Sequence, residues 1–533
     1  MTTLKKMLLK VLVAGIILFG YETGVTAAST YTDLHDFNCA AEGCNPEYDG
    51  LTQGRDGNLY GTTFSGGSHG SGTVFRVTPS GTVTTIYNFN GKTGSDPFAG
   101  LTLGTDGNLY GTTFDGGLFG HGTIFKISTT GRLTVLHHFG SVVGDGAYPY
   151  TYPTQATDGS FYGVTSYGPA ANYGVAYKIS PSGDYKIISG AGFATTAPLI
   201  QSSDGNFYGT SIISCNCVFK MTNTGKTTII YNFDGAHGRW PFGTVAQGSD
   251  GYLYGTTYAG GSSDLGVAFK LTLKGVLTVL LHADTNFANP YTSLLAANDG
   301  NFYGATSSGG NFDAGALFKL TNTGTITAES DIDPAQGAGL RATPMQHTNG
   351  KIYGLTFEGG AFGEGVFYSL DAGLPPFTRL TSAAARVGVS VGLLGQGFIG
   401  TTAVSFGGTP ATTFKVVSDT YMQARVPNGA LTGNVTVNTP TGTLTSSRVF
   451  RIKPVIQTFT PTNAQTGTSL TINGSGLTKT TKITIGGKPA TIFTVNSDSQ
   501  VTAIVPATAV TGKIVVTTNG GKTKSLEIFT VIP

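Results

Sequence analysis

The sequence predicts an all-β protein, in which a seven-bladed β-propeller is followed by two β-sandwiches. The first observation behind this prediction is a motif, Asp-Gly-Asn-Leu-Tyr-Gly at residues 106–111, that occurs seven times with small changes in steps of 46 to 52 residues. A fixed period of that length is typical of solenoids, propellers and other arrays. The second observation is that the repeat stops at Pro375-Pro376, after which two similar segments follow.

Each copy of the repeat contains four short strands. Asp-Gly or Asn-Gly between apolar runs is a strong hairpin signal, because both central residues of the turn adopt positive φ. In the second copy, strands are predicted at residues 101–104, 109–114, 123–127 and 133–139. Four strands in a period of about fifty residues match one blade of a propeller.

The two ends of the repeat region predict a closed ring. The seventh copy lacks a fourth strand after Val366–Leu370, and the missing strand is found near the N-terminus as Tyr31–Phe37. Pairing of these two segments completes the last blade and removes an open sheet edge. We therefore predict a propeller at residues 29–373 that is closed by its own first strand.

Residues 1–28 have the pattern of a secretory signal peptide. Three lysines precede an apolar run at residues 11–20, and the small residues Val25-Thr26-Ala27 offer a cleavage site. A transmembrane anchor is the alternative, but the run is shorter than the roughly twenty residues that a span needs. We expect a secreted, extracellular or cell-surface protein with no membrane span after the signal is removed.

The composition is that of a β-protein with many turns. The chain has 80 glycines, 11% charged residues and a formal net charge of +2. So small a net charge gives no electrostatic basis for binding nucleic acid or an anionic membrane. We therefore expect no nucleic-acid partner.

The four cysteines fit an oxidising compartment. Cys39 and Cys44 stand close together in the first loop of the repeat region, and we predict a disulfide between them. Cys215 and Cys217 can form a second bridge only if the chain turns tightly between them. A metal site is the alternative, but the CxxC spacing and the His cluster of such sites are missing from the sequence. No metal and no cofactor are predicted.

The two C-terminal segments share several marks, and Ser390–Phe398 parallels Ser469–Leu477. With their Gly-x-Gly-Phe/Leu, Gly-Gly-x-Pro-Ala and Val-Pro marks, both segments resemble the IPT/TIG family of immunoglobulin-like domains. The resemblance implies two immunoglobulin-like β-sandwiches, at residues 374–453 and 454–533, that act as spacers or binding modules. Some members of the family bind DNA, which the predicted signal peptide argues against.

The repeat is similar to the bacterial GloVer tandem repeat. The resemblance rests on Asp-Gly-Asn-Leu-Tyr-Gly-Thr-Thr and on the strand that follows the Gly-rich loop, and it covers residues 31–371. The fourth copy departs from the pattern because it lacks the Gly-Gly loop. The family implies a secreted or surface-anchored bacterial protein without an assigned activity, and it supplies no catalytic residues.

Loop length predicts one functional face. The turns between strands one and two and between strands three and four are minimal, whereas the other two classes of loop are long and leave the same side of the disc. Binding sites usually lie in loops that a rigid scaffold holds. Aromatic side chains beside polar groups suit sugar rings, whose faces are apolar and whose edges form hydrogen bonds. The candidate binding residues on these loops are Arg239, Trp240, Phe119, His121, Phe312, Asp313, Phe362 and Glu364.

A second set of aromatic residues on this face is interpreted as packing between blades. Phe98, Tyr150, Phe242 and Tyr291 follow a proline at equivalent places in four blades. A side chain repeated in this way favours a structural role over a single binding site. Trp240 and its neighbour Arg239 break the pattern and are the preferred binding residues.

These features favour a secreted, non-catalytic binding or surface-interaction protein. In this hypothesis a propeller head, with a polysaccharide or cell-surface component as its partner, stands on an immunoglobulin-like stalk. The first alternative is a secreted carbohydrate-active enzyme, a lyase or hydrolase, that works from the loop-rich face. The second is a structural component of the cell envelope. The sequence contains no nucleophile motif or phosphate loop, and no catalytic residue is assigned.

Overall fold

The computed structural model describes residues 29–40, 42–46, 50–168, 174–190, 195, 197–212 and 215–533. The predicted signal peptide, residues 1–28, lies outside the described residues. The described chain contains 49 β-strands and one short 3-10 helix, Pro334–Gln336, which confirms the all-β prediction. Within these residues we find no helix with the length and apolar character needed to cross a membrane.

Seven antiparallel sheets follow one another in the repeat region, and we number them along the chain. Sheets 1 to 3 consist of Thr52–Gln53, Leu59–Thr63, Thr73–Val77 and Val83–Asn88; of Thr102–Leu103, Leu109–Thr113, Thr123–Ile127 and Leu133–His138; and of Thr154–Gln155, Phe161–Val164, Val175–Ile179 and Tyr185–Gly190. Sheets 4 and 5 consist of Ile200–Gln201, Phe207–Ser211, Cys217–Met221 and Thr227–Asn232; and of Ala246–Gln247, Leu253–Thr257, Val267–Leu271 and Leu277–His282. Sheet 6 consists of Leu295–Ala296, Phe302–Ser308, Ala316–Leu320, Ile326–Asp331 and a fifth strand, Ala288–Pro290.

Sheet 7 joins the two ends of the repeat region. It contains Met345–Gln346, Ile352–Leu355, Val366–Asp371 and the N-terminal strand Thr30–Asp36. The N-terminal strand pairs antiparallel with Val366–Asp371, with Tyr31 opposite Leu370. This is the pairing that the sequence predicts.

The repeated motif is explained by the way its turn is built. In sheet 1 the Tyr60 hydroxyl donates to Asp56 Oδ2 at 2.7 Å, and Asp56 Oδ1 accepts the Asn58 N–H at 3.3 Å. Gly57, in the turn, has a φ of 79°, which a residue with a Cβ rarely adopts. The bond from tyrosine to aspartate recurs in sheets 2 to 6 at 2.6 to 3.2 Å. Asp and Tyr therefore recur because together they close the turn.

A glutamine on the first strand links neighbouring sheets. Gln155 Oε1 of sheet 3 accepts the Thr105 N–H of sheet 2 at 2.9 Å. The same bond joins three further pairs of sheets, through Gln201 and Thr157, Gln247 and Ser203, and Gln346 and Asn298. Gln53 of sheet 1 accepts the Thr348 N–H of sheet 7 at 3.1 Å. Hydrogen bonds therefore join the seventh sheet back to the first.

The long loops of a repeat meet on one side of its sheet. In sheets 2, 5 and 7, isolated β-bridges connect the loop that leads into the sheet with the loop between its second and third strands. These bridges join Ser95 to Asp115, Arg239 to Ala259 and Ala338 to Glu358. We call this side the loop-rich face, and the side with turns such as 54–58 and 78–82 the short-turn face.

The two C-terminal units, residues 374–453 and 454–533, each have two four-stranded sheets around one apolar core. The sheets of the first unit are Arg379–Leu380, Ser390–Leu394, Tyr421–Arg425 and Phe414–Ser418; and Thr409–Pro410, Ala403–Phe406, Val435–Thr439 and Gly442–Thr445. Those of the second are Val455–Thr460, Ser469–Ser475, Gln500–Ile504 and Phe493–Ser497; and Lys488–Ala490, Thr480–Ile485, Ile514–Thr518 and Gly521–Lys524. Short parallel pairs add Ala384–Ala385 with Arg451–Ile452, and Asn463–Ala464 with Thr530–Val531.

The first C-terminal unit lies against the short-turn face. The Pro375 carbonyl accepts a hydrogen bond from Asn298 Nδ2 of sheet 6 at 2.8 Å. Side chains of the unit donate hydrogen bonds to four further sheets, each at the turn between the first and second strands. They are Thr420 Oγ1 to the Arg55 carbonyl at 2.9 Å, Gln396 Nε2 to Thr348 Oγ1 at 2.9 Å, Arg451 Nη1 to the Ser203 carbonyl at 2.6 Å, and Lys453 Nζ to the Thr157 carbonyl. The loop-rich face lies on the opposite side of the sheets, away from these contacts.

Candidate binding surface

One backbone position recurs on the loop-rich face with a left-handed conformation. It precedes the proline in the loop that leads into a sheet, and it is occupied by Asn45, Asp96, Tyr148, Trp240 and Asn289, with φ between 53° and 58°. Asparagine and aspartate tolerate this region, but a bulky side chain there is an outlier. Such strain persists where the surroundings impose it, and it concentrates at functional sites. Tyr148 and Trp240 are therefore the unusual members of this set.

Trp240 is held from several sides and still meets solvent. Its backbone N–H donates to Asn216 Oδ1 at 2.7 Å, and its backbone carbonyl accepts the Tyr258 N–H at 3.0 Å. The Arg239 guanidinium lies 4.5 Å from the centre of the indole ring and donates to Asp264 Oδ2 at 2.6 Å. The tryptophan is 42% exposed. The result is a fixed apolar surface with a charged pair at its edge.

Asn216, which the sequence does not single out, is itself constrained. It lies between Cys215 and Cys217, which form a disulfide, and its φ is 48°. Its carbonyl accepts the Phe233 N–H at 3.0 Å. The bridge in the shortened loop of sheet 4 therefore fixes the residue that holds Trp240. The other predicted pair, Cys39 and Cys44, is also bonded.

Further aromatic rings surround Trp240. Its ring centre is 6.3 Å from that of Tyr258, and Phe242 stacks on Tyr291 at 4.5 Å with an interplanar angle of 15°. Phe242 also meets Tyr258 edge to face at 5.5 Å. We call these four residues the Trp240 cluster. Since Phe242 and Tyr291 belong to loops of adjacent sheets, their contact fits the packing role that the sequence suggests for them.

A second aromatic group lies on the loops of sheets 1 to 3. Tyr148 contacts Phe114 at 5.1 Å and Tyr167 at 5.7 Å between ring centres. His121 Nδ1 is 3.4 Å from the Tyr148 hydroxyl, and the His121 carbonyl accepts the Tyr148 N–H at 3.0 Å. Phe98 and Tyr150 also meet here, at 5.3 Å. His121, a predicted site residue, therefore supports Tyr148, which the prediction missed although it precedes a proline as Trp240 does.

The remaining predicted aromatic residues occupy loop tips. Phe119, Phe312 and Phe362 stand at equivalent positions between the second and third strands of sheets 2, 6 and 7, and they are 50 to 57% exposed. Each lies on its own loop. The structure does not bring them into ring contact with the Trp240 cluster among the described residues.

The predicted carboxylates on this face have local roles in their loops. Asp313 Oδ1 accepts the Gly309 N–H at 2.9 Å, just as Asp264 Oδ1 accepts the Gly260 N–H. The Glu364 carboxylate lies beside the Cys39–Cys44 bridge. These three form the one group of potential metal ligands that comes together among the described residues, but disulfide sulfurs are not thiolate ligands.

A buried pair of hydrogen-bonded side chains joins the outer parts of sheets 2 and 3. Asp145 Oδ2 is 2.9 Å from His137 Nε2, and Asp145 Oδ1 accepts the Tyr185 hydroxyl at 2.7 Å. Desolvation acts to raise the pKa of Asp145, but hydrogen bonds from His137, Tyr185 and the Gly140 N–H outweigh it and hold the pKa below its usual value. The Tyr185 ring stacks on His137 at 3.6 Å. This arrangement connects sheet 2 to sheet 3.

Comparison with known proteins places the chain in a family. The Gloeobacter/Verrucomicrobia repeat matches residues 17–214 and 194–414, and the IPT/TIG domain matches residues 454–531. The IPT/TIG match covers the second C-terminal unit and does not extend to the first. None of the curated proteins compared with the chain matches its sequence.

Several solved structures are similar in part. A fungal alcohol oxidase of the AA5 family, in complex with copper, has a TM-score of 0.46 at 14% identity, over 78% of this chain and 100% of that chain. A surface glycan-binding protein from a xyloglucan utilization locus of Bacteroides uniformis has a TM-score of 0.15 at 20% identity, over 29% of this chain and 50% of that one. One from Prevotella bryantii has a TM-score of 0.22 at 18% identity, over 28% and 38%. The two family matches decide the assignment: the chain belongs to the Gloeobacter/Verrucomicrobia repeat family and has an IPT/TIG domain at residues 454–531.

Proposed function

We propose that this is a secreted or cell-surface, non-catalytic protein that binds polysaccharide through its loop-rich face. The main support is Trp240, a partly exposed indole held in a strained conformation by Asn216 and Tyr258. A rigid aromatic residue loses little conformational entropy on binding, and tryptophan and arginine are enriched among the residues that dominate binding energy. The indole suits the apolar face of a sugar, and the pair of Arg239 and Asp264 offers hydrogen bonds to its hydroxyl groups.

We further propose the architecture that presents this face. The seven sheets are the blades of one propeller at residues 29–373, closed by Thr30–Asp36, and residues 374–453 and 454–533 are immunoglobulin-like sandwiches. The glutamine hydrogen bonds that join four pairs of consecutive sheets, and those between Gln53 and Thr348 that join sheet 1 to sheet 7, support a closed ring. Residues 1–28 direct the chain to secretion.

The position of the first C-terminal unit supports the choice of face. That unit contacts the short-turn face at Arg55, Thr157, Ser203 and Thr348. A polysaccharide chain therefore has access to the ring from the loop-rich side. On that side Asp264 and Asp313 accept hydrogen bonds from their own loops, which favours binding over acid–base chemistry.

Affinity electrophoresis against a panel of neutral and acidic polysaccharides tests the proposal. We expect retardation of the wild-type chain by at least one polysaccharide, and Trp240→Ala to weaken it at least about tenfold, the effect of losing about 1.4 kcal/mol. Tyr252→Ala is the matched control, because Tyr252 is also an exposed aromatic residue (39%) but lies on the short-turn face. A chain that no polysaccharide retards, or equal retardation of Trp240→Ala and wild type, contradicts the proposal.

A further inference from the structure

The first C-terminal unit brings two arginines together on the side that faces the ring of sheets. Arg379 lies on the strand Arg379–Leu380, and Arg448 lies in the loop that precedes Phe450. Their segments are joined by the Thr378 N–H to the Thr445 carbonyl at 3.2 Å and the Ser447 N–H to the Thr378 carbonyl at 3.3 Å. The two guanidinium groups therefore share one region of the unit.

The contacts of the unit place this region across the middle of the ring. On one side the unit is anchored to sheets 7 and 1, through Thr348 and Arg55, and the Phe377 N–H also donates to the Thr348 carbonyl at 3.1 Å. On the other side it is anchored to sheets 3 and 4, through Thr157 and Ser203. In a ring of seven, these two groups of sheets lie on opposite sides of the centre. The segment from Phe377 to the strand Arg379–Leu380 therefore lies between these two groups of sheets, toward the centre of the ring.

Electrostatic effects from both sides agree with a central position. The charge of Arg379 lowers the pKa of His347 on sheet 7, in addition to the larger effect of desolvation. Tyr152, in the loop that leads into sheet 3, partly opposes the desolvation that lowers the pKa of Arg379. Arg379 therefore lies between residues from sheets that face each other across the ring.

Both arginines are exposed to solvent, and the surrounding protein nevertheless desolvates them. Desolvation, together with the neighbouring charge of Arg448, lowers the pKa of Arg379 to about 10, and desolvation also lowers the pKa of Arg448. These two properties coexist where a side chain projects into a water-filled chamber.

Neither arginine has a partner for its charge. Among the described residues, no carboxylate pairs with the guanidinium of Arg379 or Arg448, and neither group donates a hydrogen bond. Two carboxylates on this side of the sheets act on other cations: Asp204 opposes the desolvation that lowers the pKa of Arg451, and Asp158 does the same for Lys453. Two like charges close to each other repel, and an anion between them removes that repulsion.

We propose that the chamber between the ring of sheets and residues 374–453 is an oxyanion-binding site, in which Arg379 and Arg448 hold one carboxylate or sulfate group. Arginine presents a planar fork of donors that matches such groups with two parallel hydrogen bonds. Arg451 and Lys453, on the same side of the unit, add positive potential. The anion is either the acidic group of a saccharide or a free inorganic ion. This site is separate from Trp240 and does not require the polysaccharide proposal to be correct.

Isothermal titration of the full mature chain with sodium sulfate and sodium glucuronate, at constant ionic strength set by chloride, tests the site. We expect wild type to bind at least one of the two anions, and the Arg379→Gln/Arg448→Gln double variant to bind at least tenfold more weakly. Arg132→Gln, which removes an exposed charge from a short turn between the third and fourth strands of sheet 2, is the control and keeps wild-type affinity. Trp240→Ala also keeps it, which separates the two sites. Preference for glucuronate identifies a sugar acid as the ligand, and equal binding of sulfate identifies a general oxyanion site.

Thermal unfolding in chloride buffer gives a second measurement. Because the two charges repel each other in the absence of an anion, we expect the double variant to melt at the wild-type temperature or above it. Sulfate or glucuronate then raises the melting temperature of wild type and not that of the double variant. Three results overturn the proposal: no binding of either anion by wild type, unchanged affinity in the double variant, or a clear fall in its melting temperature without anion.

Discussion

Replacement of Phe37 by alanine tests whether the ends of the repeat region close a ring. Phe37 is fully buried, its ring centre is 5.2 Å from that of Phe75, and its N–H donates to the Gly365 carbonyl at 2.9 Å. Its core cluster combines residues of sheet 1, such as Phe75, with residues of sheet 7, such as Phe367. Loss of this side chain therefore opens a cavity at the junction of the first and last sheets.

The chain provides a matched control for this change. Phe89 occupies the equivalent place one sheet later and is fully buried. Its ring centre lies 5.3 Å from that of Phe125, and its N–H donates to the Gly72 carbonyl at 3.0 Å. Replacing a buried phenylalanine by alanine costs about 3 to 5 kcal/mol. We expect a cost in this range for both variants. Only at Phe37, however, is the weakened strand separated along the chain from its pairing partner, Val366–Asp371, by the whole repeat region.

The two variants should therefore differ in hydrogen exchange. In Phe37→Ala we expect faster amide exchange in Thr30–Asp36 and in its partner Val366–Asp371, because the end strand can detach without unfolding the other sheets. In Phe89→Ala these two strands should exchange as in wild type. Urea unfolding measures the loss of stability. A cost below about 1 kcal/mol for Phe37→Ala, or unchanged exchange in Val366–Asp371, refutes the closure of the ring by the N-terminal strand.

Two further predictions concern the loop that holds Trp240 and the junction of sheets 7 and 1. Replacing Cys215 and Cys217 by serine releases the loop that fixes the indole of Trp240. Because this costs about one hydrogen bond, we expect roughly 3- to 10-fold weaker polysaccharide binding in affinity electrophoresis. Unchanged binding contradicts the role of the bridge. His347 is buried, its Nε2 bonds the Gly57 carbonyl at 2.9 Å, and desolvation lowers its pKa. Because the folded state favours the neutral ring, its contribution to stability is complete above the unfolded pKa of about 6.5 and falls by about 1.4 kcal/mol per pH unit as the pH drops below it. The urea stability of wild type minus that of His347→Gln should decrease below pH 6.5, and a flat difference contradicts the prediction.

Local chemistry explains why the repeat region is predictable. The motif at Asp106 closes its own turn, so the strand predicted at residues 109–114 is found at Leu109–Thr113. The closing strand, predicted at Tyr31–Phe37, is found at Thr30–Asp36. In the first case the sequence contains the whole turn. In the second it contains a clear copy of a strand from another repeat.

The site depends on contacts that no local pattern reveals. Trp240 stands out because the sequence has one tryptophan, but its supports, Asn216 and Asp264, lie 24 residues away on either side and belong to different loops. Phe119 and its equivalents look similar in sequence, yet each lies on a separate loop tip. Loop conformation, rather than residue type, decides which aromatic residues form one surface.

The central arginines were not predictable for a related reason. In the sequence, Arg379 and Arg448 are ordinary charged residues of the first C-terminal unit. They face the ring only because the first C-terminal unit docks on the short-turn face, through contacts such as Arg451 to Ser203. The predicted stalk is therefore also a cover for one side of the ring.

Amide hydrogen exchange of the chain with a bound oligosaccharide is the most direct test of the central claim, that the loop-rich face recognises the ligand. We predict added protection at residues 238–242 and around Tyr258 and Tyr291. We predict none at the short turn around Tyr252. Protection confined to residues 454–533, or to the short turns, contradicts the account.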